Sequence, residues 1–140
     1  MKKSTFYFLS LTWGLLMTLI GAIAVGVLML TGKPLKKWGA CYYVEVGKGW
    51  GGVNLGMFLI TSENPSRYVK SHEHGHAIQN CYWGVLMPIV IGIPSVIRYW
   101  YRAIRSRLGA ANPASYDSIW FEGQATRLGR KYVTEWEDTL

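Results

Sequence analysis

A stretch of 25 residues without a single charge, Phe6 to Leu30, constrains this chain more than any other feature. As one helix it would rise about 37 Å, more than the hydrocarbon core of a bilayer at about 30 Å. Lys2 and Lys3 precede it, and Lys33, Lys36 and Lys37 follow. Ala22-Ile23-Ala24 has the look of a signal-processing site, but the apolar run continues to Leu30, past the roughly 7–15 residues of a cleavable signal core. The expectation is an uncleaved transmembrane anchor over residues 1–32 and one small domain over residues 33–140 of the 140-residue chain.

The chemistry of that domain is concentrated at His72-Glu73-His74-Gly75-His76, which contains H-E-x-x-H. On a helix, residues four apart share a face, so His72 and His76 can aim ring nitrogens at one Zn²⁺. Glu73 is turned to one side of that pair, where it can act as general base rather than as ligand. A rival reading takes His72, His74 and His76 as alternating ligands on a strand. Helix signals decide against it: Asn64 is placed to cap, Pro65 suits a first helical turn, and Ala77-Ile78-Gln79-Asn80 shows no alternation. A helix is therefore predicted from about Pro65 to about Tyr82, and His74 drops out as a ligand. Gly75 inside it lowers helix propensity by about 1 kcal/mol, which suggests that another backbone passes close.

Catalytic zinc sites take three protein ligands and keep a position for water. The third donor is expected at Glu122, where Glu122, Ala125 and Gly129 fall at i, i+3 and i+7 of a second predicted helix, with small residues that let it press against the first.

At these residues the chain resembles a known group. H-E-x-G-H-x-x-Q at His72 to Gln79, followed by E-x-x-A-x-x-x-G at Glu122 to Gly129, is similar to the gluzincin metallopeptidases, in particular the membrane-associated ones and the small minigluzincins. The resemblance implies His72, His76 and Glu122 as zinc ligands, Glu73 as catalytic base and a peptide or protein substrate. In that group the residue after the Ala is usually an Asp that orients a ligand histidine. Here it is Thr126, and Gln79 or Asn80 are further candidates for that orienting work. Tyr116, Tyr132 and Arg127 are available as donors to a developing oxyanion. A non-catalytic integral membrane protein, with a structural zinc site or a role in binding protein or lipid, is the competing expectation.

The ligands also restrict the chain between them. Trp83 to Ile97 is apolar but spans only about 22 Å as a helix, and it contains Pro88, Pro94, Gly84 and Gly92. A single crossing there would put His76 and Glu122 on opposite sides of a bilayer. The segment 83–101 is accordingly expected to be re-entrant or interfacial. From Ile97 onward, Arg98, Arg102 and Arg105 form a basic stripe among aromatic residues, read as a contact with anionic lipid headgroups. The net charge of +7 raises nucleic acid as a partner, but no phosphate-cradling glycine loop or nucleic-acid motif is present. The same basic residues place the domain on the cytoplasmic face.

Cys41 to Val46 and Val53 to Ile60 have strand character and flank the glycine-rich Gly47 to Gly52, as in a hairpin. The predicted fold is thus α+β, with a short antiparallel sheet, the H-E-x-x-H helix and the Glu-bearing helix. An exposed strand edge beside the zinc would suit an extended peptide. Cys41 and Cys81 are a candidate disulfide pair.

Overall fold

The computed structural model describes residues 1–112 and 114–137; Pro113 and residues 138–140 of the expected domain lie outside the described residues. The architecture is α+β. Helices α1 (Lys3–Ser10) and α2 (Leu15–Leu30) lead into strands β1 (Lys36–Trp38), β2 (Cys41–Glu45), β3 (Gly52–Leu55) and β4 (Phe58–Thr61), then α3 (Arg67–Trp83), α4 (Ile93–Arg107) and α5 (Trp120–Glu137).

The uncharged run is two helices rather than one. The chain bends by 84° between α1 and α2, and among the described residues no single helix is long and apolar enough to cross a membrane. Local chemistry accounts for the break. Thr12 Oγ1 donates to the Phe8 carbonyl at 2.7 Å, and the Gly14 amide turns back onto the Leu9 carbonyl at 2.7 Å. α1 then folds onto the domain: Phe6 is fully buried between Trp136 and the His74 ring, and Ser10 lies against Cys81. α2 lies across the hairpin β3–β4 with Met17, Thr18, Gly21 and Val25 inward. Its other side exposes Leu16, Leu19, Ile20, Ile23 and Val27.

The sheet is mixed rather than antiparallel, in the order β1-β2-β4-β3, with β2 and β4 parallel. The expected single strand Val53 to Ile60 is a tight hairpin. Gly56 takes φ +68°, which glycine adopts without a Cβ clash. The Asn54 side chain bonds both the amide and the carbonyl of Gly56, at 3.0 and 2.9 Å. That turn returns β4 alongside β2 and leaves β3 as a free edge.

α3 starts two residues later than expected: Ser66 caps it by accepting from the Val69 amide at 3.2 Å, while Asn64 sits at φ +53°. After Trp83 the chain passes through a 3₁₀ turn (Gly84–Leu86) and a π-helical turn (Pro88–Gly92), and α4 leaves at 118° to α3. The prolines and glycines of the awkward apolar segment thus produce a reversal. α4 buries no side chain and exposes Ile93, Val96, Ile97, Trp100 and Ile104 along one stripe. Cys41 and Cys81 are both buried, free thiols.

Candidate metal centre

α3 and α5 meet through their small residues. A Cβ on Gly75 would come within 1.8 Å of the Ala125 carbonyl oxygen, and one on Gly129 within 1.7 Å of that of Ser71. Only backbone against backbone fits there, and the close approach carries Glu122 over the face of α3 that bears both histidines. His72 Nε2 lies 3.0 Å and His76 Nε2 3.1 Å from the same oxygen, Glu122 Oε2. All three residues are buried, and their ligand atoms lie within 4.8 Å of one another, close enough to hold a metal ion.

A hydrogen-bond acceptor occupies the far side of each ring. The Gln79 amide spends its hydrogens on the Phe121 carbonyl and Gln124 Oε1, both at 2.8 Å, so Gln79 Oε1 accepts from His76 Nδ1–H at 2.7 Å. Thr126 Oγ1 donates to the Asp117 carboxylate at 3.0 Å, so it accepts from His72 Nδ1–H at 2.9 Å. Both imidazoles therefore carry their proton on Nδ1 and turn the Nε2 lone pair towards a carboxylate oxygen. Three acceptors facing one another repel unless a cation lies between them. A divalent metal meets that need, and a shared proton meets it in part. Burial works to lower the His76 pKa, but hydrogen bonding to Glu122 and the charge of Glu73 outweigh it and raise it. Glu122 is held well below the usual carboxylate range, because its bonds to His72, His76 and Ser95 overcome the penalty of burial.

The other site residues separate in space. Glu73 is buried beside the cluster; burial pushes its carboxyl up, the charge of Glu122 pushes the same way, and the two histidines oppose. Gly52 of β3 lies so close that a Cβ there would sit 2.9 Å from Glu73 Cγ. Asn80 turns away from the centre and donates to the Gly14 carbonyl at 3.0 Å, tying α3 to the break between α1 and α2. His74 faces the opposite core, accepting from the Ala40 amide at 3.3 Å. Of the three oxyanion candidates, Tyr116 lines the cleft, Tyr132 is buried in the core beside Trp136, and Arg127 is exposed on α5.

The cleft has a volume of ≈ 370 Å³, with His72, Glu73, His76, Ser95 and Tyr116 at its polar end. Apart from Asn54, the rest of its wall is apolar, with Met17, Leu55, Met87, Ile91 and Val96 prominent. Ser95, at the start of α4, donates to Glu122 Oε1 at 2.7 Å. Sequence reading missed Ser95 and Asp117; nothing local to either residue marks it, since each acquires its role only when the segment 84–118 folds back. The arginine stripe of α4 is bonded to the chain that follows it. Arg98 donates to the Ser115 and Tyr116 carbonyls, Arg102 to that of Ala114 and Arg105 to that of Ala111. Arg98 and Arg102 also stand over the Tyr116 ring, both at 5.6 Å.

Fold and site together define an α+β protein with a buried two-histidine, one-glutamate cluster able to hold a metal ion. The chain matches no family model, no curated protein and no solved structure.

Proposed function

We propose that this chain is a membrane-anchored, zinc-dependent metallopeptidase of the gluzincin type. The observation that carries the reading is the convergence of two Nε2 lone pairs and Glu122 Oε2, with no donor between them and a buried carboxylate, Glu73, alongside. Bound there, Zn²⁺ supplies a Lewis acid that polarises a carbonyl and brings the pKa of water towards about 7. Glu73 takes a proton from the attacking water and returns it to the leaving amine. Its burial favours that work, since a carboxylate lifted towards neutrality is a stronger base. Tyr116 is the available electrophile. Burial and the charge of Glu122 keep its phenol protonated, so it can donate to an oxyanion.

The free edge of β3 receives an extended backbone, and Gly52 lets that edge run against Glu73. The apolar cleft wall favours an aliphatic side chain next to the scissile bond. Membrane attachment rests on the exposed apolar stripes of α2 and α4, since rows of exposed apolar side chains on two helices mark an interaction surface. Elemental analysis of the detergent-purified chain, together with hydrolysis of unfolded casein, tests the reading. About one zinc per chain is expected in wild type and in Glu73→Gln, with hydrolysis only in wild type. Full activity in Glu73→Gln, or no zinc uptake by the folded wild type, rejects it.

A further inference from the structure

The position at which the resemblance expects an aspartate holds Thr126, so His72 has no carboxylate of its own in the sequence pattern. The fold provides one from elsewhere. Asp117 sits in the 3₁₀ turn Tyr116–Ser118, nine positions before Thr126, and its Oδ2 accepts the Thr126 hydroxyl at 3.0 Å. We propose that Asp117, acting through the Thr126 hydroxyl, is the positioning residue that holds His72 as a metal ligand. The proposal rests on the metal-binding reading above.

Four features make this a built arrangement. A hydroxyl has one hydrogen, and a carboxylate can only accept, so the Asp117 contact commits the Thr126 hydrogen and leaves its lone pairs for His72 Nδ1–H. Without Asp117, Thr126 could equally donate to His72 Nδ1, which would move the ring proton to Nε2 and remove the lone pair a metal needs. The direction of the chain of bonds, and not its mere presence, sets the tautomer.

Asp117 is itself fixed from two further elements. Tyr68, one turn before His72 on α3, donates to Asp117 Oδ1 at 2.9 Å and stacks on the His72 ring at 5.8 Å. Arg98 of α4 bonds the same turn at the Ser115 and Tyr116 carbonyls and at Ser118 Oγ. At Gly123 of α5 a Cβ would come within 2.7 Å of the Asp117 carbonyl oxygen, so a glycine lets the turn lie against the helix. Each of the three helices around the site thus contributes to where this carboxylate stands.

The test uses the full chain in detergent and Zn²⁺ itself, with dissociation constants measured by competition against a chromophoric chelator. Thr126→Val keeps the shape and removes the hydroxyl; it and Asp117→Ala are expected to weaken binding about 10- to 100-fold. Thr126→Ser restores the hydroxyl and the affinity. The double variant Asp117→Ala with Thr126→Asp puts a carboxylate directly on His72 Nδ1 and is expected to recover most of the loss, which a merely structural role for Asp117 does not allow. Nitrogen-15 NMR of the His72 ring in metal-free protein gives a second readout: protonated Nδ1 in wild type, mixed tautomers in Thr126→Val. Wild-type affinity in Thr126→Val, or no recovery in the double variant, overturns the relay while leaving the metal site standing. Failure of the folded wild type to bind zinc overturns both.

Discussion

The clearance between α3 and α5 sets what a single methyl group should do. Gly75→Ala places a Cβ 1.8 Å from the Ala125 carbonyl oxygen, where ordinary contact begins at about 3.4 Å. The obstacle is backbone, so no side-chain rotation relieves it, and α5 must retreat by more than an ångström along its contact with α3. Overpacking in a tight interior costs about 1–3 kcal/mol and occasionally more. Here the upper end applies, because a whole helix has to shift. Better helix propensity of Ala returns about 1 kcal/mol, leaving a net loss of about 2 kcal/mol or more and a fall in Tm of roughly 5–10 °C. Glu122 lies one turn from Ala125, so the retreat also carries Oε2 away from the two histidines and zinc affinity falls with stability. The control is Gly26→Ala on α2, where a Cβ meets nothing within 4 Å and the expected change is neutral to about 1 kcal/mol stabilising. Thermal unfolding of metal-free protein and zinc titration of both variants provide the assay. A Gly75→Ala protein as stable as wild type, with its zinc affinity intact, would refute the packing argument.

Three further outcomes are expected. Ser95→Ala frees Glu122 Oε1 and should weaken zinc binding by about tenfold or more, with Thr at position 95 recovering it and Val not; equal affinities for Thr and Val would reduce Ser95 to packing. His74 is buried, which lowers its pKa to about 4, so the unfolded chain binds its proton first and stability should fall as pH drops from about 6.5 towards 4, by roughly 3 kcal/mol in all. His74→Gln keeps an acceptor for the Ala40 amide without titrating there, and denaturant melts of that variant should lose this part of the pH slope. Because the raised pKa of His76 makes protons compete with metal, zinc affinity should rise with pH until it passes that value, above 6.5, and then level off; titrations between pH 5.5 and 8.5 check the direction.

The residues of one helix face were readable directly. A spacing of four fixes His72 and His76 on one side of α3 whatever surrounds them, and Gly75, Ala125 and Gly129 announced a close helix contact because only small residues permit one. The same spacing rule put Glu122, Ala125 and Gly129 on one face of the second helix, and the small residues on that face made contact with the first helix the expectation. Hydropathy was less informative. It registers that Phe6 to Leu30 is apolar, but the 84° break depends on which groups accept the Thr12 hydroxyl and the Gly14 amide. Strand pairing likewise escaped the pattern: period-two alternation marks strands, yet the turn at Gly56 decides that β4 runs parallel to β2.

What the sequence determined by itself is therefore local: the residue types of the cluster, the helical spacing of the two histidines, the small residues at the crossing and the prolines and glycines that reverse the chain between His76 and Glu122. These follow from covalent geometry and helix periodicity, which act over a few residues. Only the tertiary structure decided which protons sit on which nitrogens. Asp117, Ser95 and the arginines of α4 reach the centre from segments with no motif of their own, and a hydrogen bond between residues distant in the chain has no periodicity for a sequence to display.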